Sequence, residues 1–185
     1  MPDEKTWEGF FDGRKILTRL DLTDSDEDAV DFGCGYGTFT IAAAQLTSGT
    51  VHALDIEPQM IAATGARAKF LGLANVRTIE RDFVAAGSGL PDRSVSYAML
   101  FNILHAEDAV GLLHEAFRVL RPGGRVGVIH WVYDAATPRG PGLSIRPHPR
   151  QCQQWIREAG FELAIPLVAL PPYHYGLAGR RPTGS

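Results

Sequence analysis

The sequence predicts an α/β protein in which one β-sheet is covered by helices on both faces. Two observations predict it. Short strand-like apolar runs alternate with helix-like stretches along most of the 185 residues, the pattern of a sheet wrapped by crossover helices. Val95 to Phe101 is an almost unbroken apolar run, as a central parallel strand buried on both faces requires.

Taken in order, residues 6–20 place Phe10, Leu17 and Leu20 on one helical stripe, although Gly9 and Gly13 weaken a helix there. An acidic turn from Asp24 to Asp28 leads into a strand from Ala29 to Phe32. After a glycine turn, the alanine-rich stretch from Thr38 reads as a helix stopped at Ser48-Gly49. Val51 to Leu54 is a second strand ending at Asp55, and Pro58 opens a helix that Gly72 terminates. Val76 to Ile79 is a third strand and Val95 to Phe101 the fourth.

Asp108 caps a helix whose stripe is Ala109, Leu113, Phe117 and Leu120, stopped at Arg121-Pro122-Gly123-Gly124. His114 falls opposite that stripe and reads as solvated. A fifth strand runs from Arg125 to Val132, then a proline-rich irregular loop over 134–148, then a helix from Pro149 to Ala159. Two last strands are expected near 161–168 and 173–180, on either side of Pro171-Pro172. In the second, Tyr173 and Tyr175 face one way and His174 the other, which reads as edge-strand packing or a subunit interface. No repeat or domain boundary interrupts the chain, so residues 1–185 are expected to form one domain, with a segment 1–27 before a core 28–180.

With 18 basic against 21 acidic residues, the charge balance offers no global basic field to recruit nucleic acid. Cys34 and Cys152 are too few for a disulfide framework and fit a reducing compartment. The N-terminus has no signal-like apolar run, and no stretch approaches the roughly 20 apolar residues of a membrane helix. The expected location is therefore the cytoplasm. No cysteine–histidine spacing suggests a metal.

The segment Asp31-Phe32-Gly33-Cys34-Gly35-Tyr36-Gly37 carries the chemistry. Glycines between a strand and a helix let the backbone turn tightly and approach a ligand, and the helix N-terminus adds free N–H donors. Such turns also serve packing alone. A dinucleotide fingerprint would need its third small residue at Thr38, whereas here the glycines occupy every second position. Asp55, ending the second strand, is placed to accept both ribose hydroxyls of an adenosine. Asp82, ending the third, is placed to accept from an adenine amino group, with Phe83 packing on the ring. The competing reading for both acids is a helix cap or a solvated turn carboxylate.

On these residues the chain resembles the class I S-adenosylmethionine-dependent methyltransferases, and within them the type-11 group that includes ubiquinone and menaquinone C-methyltransferases. The resemblance rests on DFGCGYG (31–37), ALDIEPQMI (53–61), Asn75-Val76 to Asp82-Phe83, FNILHAED (101–108), RVLRPGGRV (118–126) and EAGFE (158–162), in that order. It implies a Rossmann-like three-layer sandwich with a mostly parallel seven-stranded sheet, order 3-2-1-4-5-7-6, and an antiparallel last strand. It also implies S-adenosylmethionine as cofactor and S-adenosylhomocysteine as product. Asp31 would sit beneath the methionine end. Gly33, Cys34 and Gly35, with Gly37 completing the turn, would lie against methionine and ribose through the backbone. Asp55 would bind ribose, Ile56 would pack on adenine, Asp82 would read its amino group, and the backbone of Asn102 would face the methionine.

Methyl transfer from a sulfonium needs alignment and water exclusion, and a general base only when the nucleophile keeps a proton. His105, after the fourth strand, is the candidate base; alternatively it orders the turn into the next helix. His130 and Trp131 end the fifth strand on the expected acceptor side. Arg139 and Arg146 in the proline-rich loop would bind an anionic group of the acceptor, or else pair with local acids. The expected acceptor is a small molecule. The pocket would be open, or covered by residues 1–22 through Trp7, Phe10 and Phe11, or closed by a second subunit of a homodimer. The competing classes are a non-catalytic S-adenosylmethionine-binding module that regulates or scaffolds a partner, and a nicotinamide-dependent enzyme.

Overall fold

The computed structural model describes residues 9–23 and 26–184. Helix α1 spans Gly13–Arg19 and strand β1 Ala29–Phe32. They are followed by α2 (Thr38–Ala44), β2 (Val51–Asp55), α3 (Pro58–Phe70), β3 (Val76–Glu80) and a one-turn α4 (Phe83–Ala86). Then come β4 (Val95–Phe101), α5 (Ala109–Val119), β5 (Leu120–Trp131), a 3-10 turn at Leu143–Ile145, α6 (Pro149–Glu158), β6 (Glu162–Leu170) and β7 (His174–Arg180). The seven strands form one sheet in the order β3-β2-β1-β4-β5-β7-β6. Strands β1 to β5 pair in parallel, and β7 runs antiparallel to both β5 and β6.

Alternation along the central strands builds two cores. Ala98 and Leu100 of β4, with Val126 and Val128 of β5, pack under α5 and α6. Tyr97, Met99 and Phe101, with Ile129, pack under α1 and α2. Because a strand's side chains alternate faces, β4 serves both layers, which explains its unbroken apolar run. Gly127 is required by that alternation: a Cβ there would lie 2.4 Å from Tyr97 Oη, whose hydroxyl donates to the Leu20 carbonyl.

Several elements differ from their sequence expectation for identifiable reasons. The first helix begins at Gly13, with the Asp12 side chain accepting from Lys15 N–H as its cap. Gly13 does not weaken it; a Cβ there would meet Ala42 Cβ at 3.0 Å, so the glycine lets α1 lie against α2. Strand β5 begins at Leu120, and a break in its pairing with β4 between Val95 and Tyr97 takes up the Pro122-Gly123-Gly124 segment. Strand β7 is no edge: it lies between β5 and β6, and Tyr175 is buried with its hydroxyl donating to the Pro147 carbonyl at 2.8 Å. As expected, Asp108 caps α5 by accepting from Gly111 N–H, and His114 is exposed. No helix among the described residues is long and apolar enough to cross a membrane.

Candidate cofactor and acceptor site

Parallel strands place the ends of β1, β2, β4 and β5 along one edge of the sheet, where ligands of open α/β folds bind. A cavity of about 560 Å3 opens there, reaching from Asp31 and the glycine turn, past Phe39, Phe101 and Asn102, to His105, Trp131 and Arg139.

The glycine turn is bent by three left-handed residues, Gly33, Gly35 and Gly37, with φ of 76°, 54° and 78°. The Gly33 and Cys34 amides both donate to the Leu54 carbonyl, which ties the turn to β2. Gly37 answers to packing: a Cβ there would stand 2.8 Å from Thr64 Oγ1 of α3. That hydroxyl donates to the Gly35 carbonyl at 2.9 Å, so one threonine shapes two positions of the turn. The Cys34 thiol is buried, and burial, then the nearby Asp31 carboxyl, push it far above its ordinary range. Burial thus disfavours its thiolate form.

Asp31 is buried, and Thr40 Oγ1 donates to its Oδ2 at 2.6 Å. Burial outweighs that hydrogen bond, and its carboxyl is pushed up to about 7. Asp55 accepts from Gly35 N–H at 2.9 Å through Oδ2 and from Glu57 N–H at 3.0 Å through Oδ1. Each oxygen keeps a second lone pair. Asp82 is exposed and caps α4 through Oδ1, which accepts from Ala85 N–H. Phe83 packs edge-on to Phe32 at 5.4 Å, and Ile56 projects an exposed apolar side chain beside Asp55. Asp55, Ile56, Asp82 and Phe83 do not line the cavity; they occupy or adjoin the neighbouring strand ends.

Asn102 follows β4 in the left-handed region, at φ 58°, its amide donating to the Ile129 carbonyl. Its side-chain Oδ1 and Nδ2 have no hydrogen-bond partner, nor does Thr38 Oγ1, which also lines the cavity. Buried polar atoms without partners are uncommon in folded proteins. Grouped around one cavity, they are open to a polar ligand.

His130 and Trp131 end β5 but point to opposite faces of the sheet. Trp131 lines the cavity, with its ring 4.1 Å from that of His174. His130 does not line it; it lies buried behind His105, with Nε2 3.4 Å from His105 Nδ1. Sequence reasoning placed both on the acceptor side, because strand register shows alternation but not which face meets a cavity. Burial, then the neighbouring His105, holds the His130 imidazole down to about 3, and burial lowers His105 as well.

The two loop arginines separate in the same way. Arg139 is exposed at the rim of the cavity. Arg146 turns inward: Nη1 donates to the carbonyls of Val132 and Asp134 and to Thr137 Oγ1, and Nη2 and Nε to Pro141. Among the described residues it pairs with no acid, and its donors are taken up by its own loop, which differs from both sequence expectations. Gly140 at φ 112° lets that loop close over Trp131, where a Cβ would lie 2.9 Å from the indole. From the other side, Phe10 packs on Trp131 at 5.5 Å and Phe11 on Phe39 at 5.1 Å. Trp7 lies outside the described residues. Thr38, Thr40, Thr64, Phe39 and Ile103 were missed from sequence, having no motif signal beyond ordinary helix and loop positions.

Residues 29–124 match the family described as "Methyltransferase domain". The chain belongs to the class I S-adenosylmethionine-dependent methyltransferases, in their type-11 group. Among curated relatives, it is 36% identical over 149 residues to a ribosomal protein L11 methyltransferase of Methylococcus capsulatus, covering 78% of this chain and 48% of that protein. It is 34% identical over 130 residues to the aklanonic acid methyltransferase DauC of a Streptomyces species, covering 68% and 57%. It is 34% identical over 101 residues to a demethylmenaquinone methyltransferase of a Geobacillus species, covering 53% and 42%. The chain thus spans about half the length of the curated relatives it matches. A solved S-adenosylmethionine-dependent methyltransferase of Aquifex aeolicus shares the fold at a TM-score of 0.84 and 22% identity, covering 96% of this chain and 93% of that one.

The cofactor of this methyltransferase family is S-adenosylmethionine, and the residues present fit it. The partnerless polar atoms of Thr38 and Asn102 and the buried Asp31 carboxyl suit a charged amino-acid end. The exposed Ile56 beside Asp55 suits an adenine ring and its ribose.

Proposed function

We propose that this chain transfers a methyl group from S-adenosylmethionine to a small-molecule acceptor. One observation carries the reading: a single cavity joins the glycine turn and Asn102 at one end to His105, Trp131 and Arg139 at the other. Its volume of about 560 Å3 falls within the usual range for small-molecule sites. The relatives' names point to acceptors of several kinds, a ribosomal protein, aklanonic acid and demethylmenaquinone among them. The aromatic walls Phe39, Phe101 and Trp131 favour a flat apolar molecule here.

When bound, S-adenosylmethionine supplies an electrophilic methyl group on a sulfonium, so the protein's share is binding, orientation and exclusion of water. Asp31, Thr38 and Asn102 bind the amino-acid end, and the backbone of Gly33, Cys34 and Gly35 lies against it, with Gly37 setting the turn. Asp55 accepts the ribose hydroxyls on its remaining lone pairs. Ile56 and Phe83 pack about the adenine, whose amino group donates to the uncommitted Oδ2 of Asp82. Trp131 and Arg139 bound the acceptor, Arg139 facing any anionic group on it. Arg146 acts indirectly, by holding the loop that carries Arg139. Phe10 and Phe11 cover the site from the N-terminal side.

The test is formation of S-adenosylhomocysteine when the chain is incubated with S-adenosylmethionine and a panel of aromatic hydroxyl, amine and quinol acceptors. Turnover with one of them is expected. Tight cofactor binding without turnover across the panel would make the chain a binding module instead.

A further inference from the structure

Behind the acceptor end of the cavity lies a pair of histidines. His105 lines the cavity, and His130, wholly buried, reaches it with Nε2 3.4 Å from His105 Nδ1. Their rings meet edge to face, with centroids 5.5 Å apart. The two residues come together because His130 lies near the end of β5 and His105 follows the neighbouring strand β4. A neutral imidazole carries one proton, so one ring donates in this contact and the other accepts. His130 Nδ1 has no hydrogen-bond partner among the described residues, so the contact with His105 is what orients the ring. Where His130 Nε2 accepts in that contact, His105 carries its proton on Nδ1 and leaves Nε2 bare.

We propose that His105 is a general base for an acceptor hydroxyl that still carries its proton, and that His130 is the positioning residue that fixes its tautomer. This inference rests on the cavity being a methyl-transfer site. As the acceptor atom forms its bond to the methyl carbon, the methyl–sulfur bonding pair stays with sulfur, giving S-adenosylhomocysteine. The acceptor's proton passes to His105 Nε2 and is then released to water, so charge and atoms balance. The resulting imidazolium donates from Nδ1 to His130, which deep burial keeps neutral and able to accept.

Other charged or titratable groups surround the pair. Asp31 and Cys34 face the same cavity from the glycine turn, and Arg139 faces it from the loop after β5. His174, Arg146 and Tyr175 approach His130 from behind. Glu107 and Asp108 follow His105 in its own segment and are exposed. His174 is itself held neutral by burial, and the Arg146 cation opposes a proton on both His130 and His174. Burial alone lowers His105, which favours the unprotonated state that a base requires.

Two measurements test the inference independently. Nitrogen-15 NMR of the ligand-free chain reads the tautomer: His105 should carry its proton on Nδ1, with a bare Nε2. In His130→Phe and His130→Asn that preference should be lost in the first and kept in the second, whose amide oxygen can accept. A proton on His105 Nε2 in the wild-type chain, or an unchanged tautomer in folded His130→Phe, would overturn the role of His130. Methyl transfer to a series of phenols of graded acidity reads the base. His105→Gln should slow transfer to un-ionised phenols by about 10²–10⁴-fold, and hardly at all to phenols already ionised. An equal loss across the series would overturn the base. Absence of transfer to every phenol by the wild-type chain would overturn the assignment of an O–H acceptor, while S-adenosylmethionine binding by calorimetry separately judges the underlying reading.

Discussion

Asp31 sits where two demands conflict, because the buried end of β1 disfavours charge while the ammonium proposed to bind beside it requires charge. Its carboxyl is pushed up to about 7 from an ordinary value of 3.8, chiefly by burial. A carboxyl raised in the folded state adds stability that is full below its unfolded value and is lost as pH rises through about 7. A bound ammonium reverses this by favouring the ionised form. S-adenosylmethionine should therefore release protons on binding near neutral pH, and bind more weakly as pH falls below about 7. Calorimetry in buffers of different ionisation enthalpy reads that proton release. Asp31→Asn should abolish both effects. Asp55 and Asp82 illustrate another kind of dual use, since each satisfies a backbone amide while keeping lone pairs for a ligand. For Asp82 the alternatives of helix cap and cofactor contact are thus compatible.

At the scale of elements, the loop between β5 and α6 turns one of its two arginines inward and leaves the other at the cavity, where we propose that it meets the acceptor. Arg146 is buried and gathers carbonyls from Val132 to Pro141, whereas Arg139 stands exposed at the cavity rim. Arg146→Ala should leave those carbonyls unsatisfied and lower stability by about 2 kcal/mol, read by denaturant unfolding. Arg139→Ala should change stability by less than about 0.5 kcal/mol, and raise the KM of an anionic acceptor about tenfold with kcat nearly unchanged. Equal effects of the two substitutions on KM and stability would contradict this division. Sequence could not separate these residues. Both are arginines in one proline-rich loop, and which one turns inward depends on where that loop returns to the sheet.

For the whole molecule, the sheet order gathers the functional strand ends on one edge, and the two cores hold them in place from opposite faces. A ligand that binds this edge only in the folded state stabilises the entire domain. S-adenosylmethionine at 100 times its dissociation constant should add about 2.7 kcal/mol, seen as a raised Tm. NAD(P) should add nothing measurable, and stabilisation by NAD(P) alone would contradict the cofactor assignment.

The glycine turn, the strand-end acids, the caps at Asp108 and Gly72 and the alternating elements were all legible in the sequence. Each is a local signal: a left-handed φ that favours glycine, a hydrophobic period, or a cap within one turn of its helix. With the family resemblance they also determined the sheet order and the methyl donor. Tertiary structure alone decided the partners across elements. It placed Trp131 in the cavity and its neighbour His130 behind His105, because adjacent strand residues face opposite layers and only the packed sheet shows which layer holds the cavity. It drew Arg146 into its loop and buried Tyr175 with its hydroxyl on the Pro147 carbonyl. Local chemistry thus specified the glycine turn and the strand-end acids, and long-range packing built the far end of the cavity at His105, Trp131 and Arg139.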